Sequence, residues 1–496
     1  MPILNWLGKD KVINYAAQVN FHVLNHKYNF GGKSENKIIH GDNLLALKSL
    51  LPLYEGRVKC IYIDPPYNTG NEGWIYNDNV NSPQIQKWLG QVVGREGEDF
   101  SRHDKWLCMM YPRLKLLKQL LADDGAIFIS IDDNEQAALK FICDEIFGSQ
   151  NFVSNVIWEK KYSPQNDAKY LSDSHDFILV YAKNKSVWRP NLLPRTAEMD
   201  ARYKNPDNDP RGVWKPSPLH AKSGTNTDSY KFPNGVNWTP PAGTFRRYSE
   251  DTLKKLYDEN KIYFGKDGKS TPQFKRFLTE VKQGLVSKTI WKRDEVGDTH
   301  EAKNEVRALD ILFDTPKPTR LIERILQIAT DKNSIVLDSF AGSGTTAHAV
   351  INLNAQDGGN RKFILVELES YAENITAERV KRVGGNFDFY EVGEEIFIDD
   401  ELNENLPLEK IHEYIWQTET HTPYKKIFGD CEEFLGVHKG TAYYFKFGTL
   451  DYEFLPKIKT RADEYVIFAE SCAIDAEFLY KNKIEFRKIP RDILKN

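Results

Sequence analysis

Ile61-Tyr62-Ile63-Asp64-Pro65-Pro66-Tyr67-Asn68-Thr69-Gly70 is the stretch on which the reading of this chain turns. The apolar run from Val58 to Ile63 predicts a buried strand, and it stops at a carboxylate followed by two prolines. Proline lacks an amide hydrogen and fixes its own φ, so Pro65 and Pro66 hold the chain rigidly at the strand's carboxyl end. Their carbonyls are expected to escape a helical turn and to stay free as acceptors. Asp64 adds a second kind of acceptor, and Tyr67 a flat face. Two acceptors beside an aromatic plate suit an exocyclic amino group on a planar ring.

Outward from this stretch, strand and helix alternate. Upstream, Ile38-Ile39 leads into His40-Gly41-Asp42-Asn43 and a helix start, where Asp42 either caps the helix or hydrogen-bonds a nucleotide-like adenine or ribose. Downstream, residues 68–104 form a long polar loop in which Trp74 and Tyr76 are candidates to stack on nucleic acid or to anchor the loop. Lys105 to Leu121 has the 3.6-residue apolar period of a helix, through Trp106, Met109, Met110, Leu114, Leu117 and Leu120. A strand is expected over Ala126–Ile131, a helix from about Asn134 to Phe147, and strands over Phe152–Trp158 and Phe177–Ala182. Such alternation implies an α/β fold, a Rossmann-like mainly parallel sheet with helices on both faces.

Between about Trp188 and Asn304 the alternation breaks. Pro, Gly, Asn and Asp cluster, and aromatic and basic residues interleave: Trp214, Lys215, Arg246, Arg247, Lys275, Arg276. The chain of 496 residues has a net charge of −4, but residues 195–300 carry 20 Lys/Arg against 14 Asp/Glu, and residues 390–496 carry 14 against 22. A basic middle is compatible with phosphate contact, and loop side chains can reach base edges. Five scattered cysteines without a Cys-x-x-Cys pair fit a reducing cytoplasm, and no His/Cys cluster offers a metal site. No apolar run reaches the roughly 20 residues of a membrane span, and the N-terminus lacks a signal peptide's pattern.

The alternation resumes with a helix over Thr319–Ala329 and a strand over Ser334–Leu337. Then comes Asp338-Ser339-Phe340-Ala341-Gly342-Ser343-Gly344-Thr345-Thr346, a glycine-rich turn opening a helix. Glycines let backbone approach a ligand closely, and a helix N-terminus favours negative groups. The next strand, from Arg361 to Val366, ends at Glu367, placed to accept both hydroxyls of a ribose. Spacing alone leaves a dinucleotide-binding loop open, because Gly342-x-Gly344-x-x-Ala347 also satisfies that pattern. A helix from Ala372 to Val383 and a small C-terminal α/β appendage complete the expectation.

The pair Asp64-Pro65-Pro66-Tyr67 and Asp338-x-Phe340-x-Gly342-x-Gly344, in that order, resembles the β class of S-adenosylmethionine-dependent DNA amino-methyltransferases. Asn68-Thr69-Gly70, Ala347-His348-Ala349 and Phe313-Asp314-Thr315-Pro316-Lys317-Pro318 resemble, more narrowly, the modification subunits of type III restriction–modification systems. The resemblance covers roughly residues 35–385. It implies S-adenosylmethionine held by Asp42, Asn43, Lys317, Asp338, Phe340, Gly342, Gly344, Thr345, Thr346 and Glu367, and a target base held by Asp64, Pro65, Pro66 and Tyr67. It also implies double-stranded DNA as substrate, a restriction (helicase/nuclease) partner and a homodimer. Asp as the first motif residue, with Tyr as the last, favours N6 of adenine by family tendency. N4 of cytosine, or a recognition subunit that guides a nuclease, are the alternatives.

On this reading residues 1–36 are an arm, 37–187 the catalytic half and 188–304 the target-recognition insert. Residues 305–385 are the cofactor half, and 386–496 a C-terminal domain. The chemistry is consistent: a ring-conjugated amino nitrogen is a poor nucleophile. Hydrogen bonds to Asp64 and the Pro65 carbonyl would aim its lone pair, with Asp64 taking the proton and the base flipped out of the duplex.

Overall fold

A computed structural model describes residues 3–69, 102–164, 166, 168–398, 401–426, 431–489 and 492. Trp74 and Tyr76 lie outside the described residues. By contacts the chain divides into two compact units, one of residues 1–191 with 288–496 and one of Leu192–Ser287.

The first unit is built on a ten-stranded sheet. In chain order its strands are β1 (His22–Phe30), β2 (Lys37–His40), β3 (Val58–Ile63), β4 (Leu121–Ile131), β5 (Phe152–Glu159), β6 (His175–Ala182), β7 (Ile290–Trp291), β8 (Ile335–Asp338), β9 (Lys362–Glu367) and β10 (Phe387–Glu395). In space the order is β1-β10-β2-β9-β8-β3-β4-β6-β5-β7. Every neighbouring pair from β10 to β4 is parallel, whereas β1 and β6 run antiparallel to their neighbours. The mainly parallel doubly wound sheet is therefore present.

Side chains on a strand alternate between faces, and both faces here are apolar. Ile39, Ile61, Ile63, Ile127, Ile129, Leu337, Ile364 and Val366 share one core with helices α1 (Asn43–Tyr54) and α2 (Arg102–Leu120). The alternate set, Cys60, Tyr62, Phe128, Val336, Phe363 and Leu365, is equally buried. Helices α3 (Thr319–Ala329) and α4 (Thr345–Asp357) pack on each other and on these central strands. Burying one such side chain contributes about 1.5–3 kcal/mol, so the centre of the sheet is held by many such contributions.

Several boundaries differ from the sequence reading. No loop separates α2 from β4: the strand starts at Leu121, and Asp123-Asp124-Gly125 lies in a register irregularity against β3. The polar stretch before residue 36 contains β1, an edge strand paired with β10, and β10 itself extends the main sheet past residue 385. Ile290–Trp291 pairs with β5, so it too belongs to the main sheet. Beyond β10, the strands Phe434–His438, Thr441–Phe445, Glu464–Ala469 and Ile484–Lys488 form a small sheet with its own apolar core.

The second unit holds short strands, among them Trp214–Pro218 and Gln273–Phe277, and the α-helices Ala197–Asp200 and Glu250–Asp258. Its core is Leu219, Phe232, Trp238, Leu253, Ile262 and Phe264.

Candidate active site

Four adjacent parallel strands, β2, β9, β8 and β3, bring Asp42, Glu367, Asp338 and Asp64 to one edge of the sheet in that spatial order. Asp64, Asp338 and Glu367 also share strand parity, two residues beyond Tyr62, Val336 and Leu365 on the same face. The two sequence motifs thus meet, although 253 residues separate Asp64 from Lys317.

At the β3 end, Asp64 Oδ2 accepts from Lys317 Nζ at 2.5 Å, and that ammonium lies 5.0 Å from the Tyr67 ring centroid. Both members of the pair are largely covered, with side-chain exposures of 17% and 12%. Burial and the neighbouring Asp64 carboxylate push the Tyr67 hydroxyl well above its ordinary range. Beneath them, Tyr62 and Ser130 join hydroxyls at 2.9 Å, and Asp176 at the start of β6 accepts from Lys160 at 2.7 Å. Burial raises the Asp176 carboxyl, opposed by Lys160 and Lys317.

One expectation for the prolines fails. The Pro66 carbonyl accepts from Trp106 Nε1 at 2.6 Å, so Pro65 supplies the remaining candidate carbonyl. Asn68 is 2% exposed and sits at φ +58°, a left-handed conformation that Asn tolerates. Its side-chain amide donates to the Arg102 carbonyl at 3.2 Å and to Glu135, which also bonds His103 Nδ1 at 2.7 Å. The Asp64–Asn68 turn is therefore tied by Trp106 and Glu135, neither of which the motif reading singled out.

At the β8 end, Asp338 accepts from the Phe340 amide at 3.0 Å and from Thr346 Oγ1 at 2.5 Å. Burial raises its carboxyl to about 7. Phe340 is partly buried against the core. Gly342, at φ +51°, donates its amide to Glu367 Oε2 at 2.7 Å, and its carbonyl accepts from Thr376 at 2.6 Å. Gly344, at φ +81°, is the residue before α4, and a Cβ there would meet the Thr376 carbonyl at 3.0 Å. Glu367 also accepts from the Glu369 amide at 3.0 Å, and burial raises it to about 7. Thr345 Oγ1 donates to the Lys317 carbonyl at 3.3 Å and accepts from Arg379 at 2.9 Å. Arg379 is fully buried, bonds Ser343 and Thr319 as well, and faces Glu305 at 3.5 Å.

Asp42 takes the capping role: Oδ1 accepts from the Leu44 amide at 2.7 Å and from Arg113 Nη2 at 3.0 Å. Asn43 donates to the Ser339 carbonyl at 2.9 Å and accepts from Arg113 Nε at 2.5 Å, tying β2's turn to the glycine turn. Arg113 is fully buried, and its signal was present, since it falls at i+3 and i+4 from Met110 and Met109 on the apolar stripe of α2.

These residues suit an adenosyl ligand with an amino-acid tail. Ser339 Oγ is buried without a hydrogen-bond partner among the described residues. The oxygens of Asp338 and Glu367 keep lone pairs beyond the bonds named above.

In the second unit the six basic and aromatic candidates separate. Arg247 and Arg276 are exposed, Lys215 is half-buried over Tyr203, and Arg246 is 6% exposed and paired with Glu250. Trp214 and Lys275 need correction as DNA contacts, since both are buried. Trp214 Nε1 donates to Asp207 at 2.9 Å, and Lys275 Nζ holds Asp207 and Asp209 at 2.5 and 2.9 Å. Both are internal struts of this unit. Among the described residues no cluster could hold a metal ion, and no helix is long and apolar enough to cross a membrane.

A family model described as DNA methylase, of N6 and N4 type, matches residues 58–378. The chain is 39% identical over 405 residues to the StyLTI Mod subunit of a type III restriction-modification enzyme from Salmonella typhimurium, across 77% of this chain and 60% of that one. It is 34% identical over 421 residues to the EcoP15I Mod subunit from Escherichia coli, across 74% and 64%. With the type II methyltransferase M.KpnI from Klebsiella pneumoniae the identity is 30% over 358 residues, across 67% and 81%. The chain thus spans under two thirds of the length of the two Mod subunits. The family match encloses both motifs and the strands that join them, and this chain belongs to the DNA methylase family.

Proposed function

We propose that this chain transfers a methyl group from S-adenosylmethionine to N6 of an adenine flipped out of duplex DNA, as the modification component of a type III restriction–modification system. The observation that carries this reading is the convergence of Asp64, Asp338 and Glu367 on one sheet edge, with Lys317 linking the Asp64–Tyr67 turn to the start of the helix after the glycine turn. Bound S-adenosylmethionine would supply an electrophilic methyl group. Glu367 would hold the ribose hydroxyls, while Gly342, Gly344, Thr345 and the carboxyl of Asp338 would frame the amino-acid end. Asp64 and the Pro65 carbonyl would accept the amino hydrogens of the target, which directs the nitrogen lone pair outward. Asp64 would then take the proton, and Tyr67 would stack on the base. Arg247, Arg276 and Lys215 would contact the DNA backbone or base edges from the Leu192–Ser287 unit. Homology to Mod subunits supports a restriction partner and a homodimer as expectations for this chain.

Mass spectrometry of nucleosides from DNA of a host expressing the chain, with the sites mapped by single-molecule sequencing, tests the proposal. N6-methyladenine at one short motif is the expected result. N4-methylcytosine would keep the mechanism and overturn the base, and absence of any methylated base would overturn the enzymatic reading.

A further inference from the structure

Lys317 belongs to two places at once. Its carbonyl accepts from Thr345 Oγ1, so its main chain sits beside the glycine turn and the start of α4. Its ammonium crosses to the end of the next strand and binds Asp64 Oδ2. We infer that Lys317 is a transferable cation, holding Asp64 in the ligand-free chain and released to the carboxylate of the cofactor's amino-acid tail, so that Asp64 becomes a competent acceptor only after cofactor is bound. The inference rests on the methyl-donor reading of this site and adds an order of events to it.

Three features support it. First, an ammonium on Asp64 opposes catalysis. The target amino nitrogen gains positive charge as it is methylated, and a cation next to its acceptor disfavours that charge. Second, the neighbouring cation, Arg379, is fully buried and committed to Ser343, Thr345, Thr319 and Glu305. Lys317 instead carries a flexible four-carbon stem and makes one direct ion pair, with Asp64 beside the Tyr67 ring, while its charge also reaches the Asp176 and Asp338 carboxyls. Third, an anion at the glycine turn would lie beside the backbone from which that stem springs, so a short swing suffices.

The test is a double-mutant cycle on cofactor binding that requires no DNA. S-adenosylhomocysteine is titrated by calorimetry into the full chain, wild type, Asp64→Asn, Lys317→Met and the double variant. This ligand lacks the sulfonium charge, so Asp64 has no cation of the cofactor's sulfur to attract. If Lys317 must leave Asp64 to serve the ligand, Asp64→Asn tightens binding by about threefold or more, a floor set by the modest worth of even an exposed ion pair. Lys317→Met weakens binding, and Asp64→Asn then has no further effect. Unchanged or weaker binding by Asp64→Asn, or equal tightening in both backgrounds, overturns the transfer of Lys317. Failure of the wild-type chain to bind S-adenosylhomocysteine at all overturns the cofactor assignment itself, a different and separable outcome. Thermal melts followed by circular dichroism confirm that each variant is folded before its affinity enters the cycle.

Discussion

Replacing Asn68 tests whether the target-facing turn is held from behind. Its amide bonds a carboxylate, Glu135, and a neutral carbonyl, that of Arg102. Deleting a bond to a charged group removes about 1.5–3 kcal/mol and one to a neutral group about 0.5–1.5 kcal/mol. Asn68→Ala also places a Cβ at φ +58° without the local hydrogen bonding that lets Asn tolerate it, which adds about 1 kcal/mol. The expected loss is therefore roughly 3–5 kcal/mol for Ala, and about 1 kcal/mol less for Asn68→Gly, which relieves the backbone but not the lost bonds. Burial already raises the Glu135 carboxyl, with Asn68 and His103 opposing the rise, so removing Asn68 drives it further up. Urea denaturation followed by tryptophan fluorescence measures the loss, and turnover on DNA reports the mis-set Tyr67. An alanine variant within 0.5 kcal/mol of wild type would refute the clamp, and a glycine variant less stable than the alanine one would refute the backbone share of the loss.

Asp64→Ala should lower methyl transfer by at least about 10³-fold, some 4 kcal/mol of barrier, while S-adenosylhomocysteine still binds; retained turnover removes Asp64 from the chemistry. Gly342→Val sets a β-branched residue at φ +51° where the amide must reach Glu367, so calorimetry should find cofactor binding lost, and unchanged affinity would sink the glycine-turn assignment. Arg247→Glu with Arg276→Glu should weaken DNA binding and reduce its salt slope by about one unit per lost phosphate contact. Lys275→Met should instead destabilise the Leu192–Ser287 unit by about 1.5–3 kcal/mol for each charged bond lost, since Asp207 and Asp209 both lose Lys275 while Arg211 still holds Asp209; a DNA-binding defect without a stability loss would restore Lys275 as a contact.

The Glu367 carboxyl, raised by burial to about 7, gives a pH signature with two opposite signs. The folded chain keeps this proton where the unfolded chain has lost it, so stability from this group is full below about pH 4.5 and falls as pH rises to 7. Ribose hydroxyls prefer an ionised acceptor, so affinity for S-adenosylhomocysteine should rise between pH 6 and 8. Glu367→Gln should flatten the affinity profile and lessen the slope of the stability profile, to which Asp338, also raised to about 7, still contributes; a wild-type affinity that falls over that interval would contradict the ribose role.

What could be read before folding is what short-range pattern records. An apolar run ending at a carboxylate marks a buried strand's carboxyl end, and Asp64, Asp338 and Glu367 each stand at one. Edge strands leave no such mark. β1 and β10 are polar and half-exposed, and they find each other across more than 350 residues of chain. Buried cations were legible by their place in a pattern: Arg113 falls on the apolar stripe of its helix, and Lys275 stands two residues before the buried Phe277, hence on its face, whereas Arg276 is exposed. The Lys317–Asp64 pair has no local signal, because it exists only through the adjacency of β3 and β8. That adjacency carries a structural consequence. The Asp64 turn and the glycine turn are fastened to neighbouring central strands with both faces buried, while the Leu192–Ser287 unit is spliced into the chain between them. Changes to that unit's loops leave the register Val336–Cys60 and Leu337–Ile61 untouched. On the proposed reading, the chemistry would therefore stay fixed on the sheet while the exposed residues that would meet DNA vary.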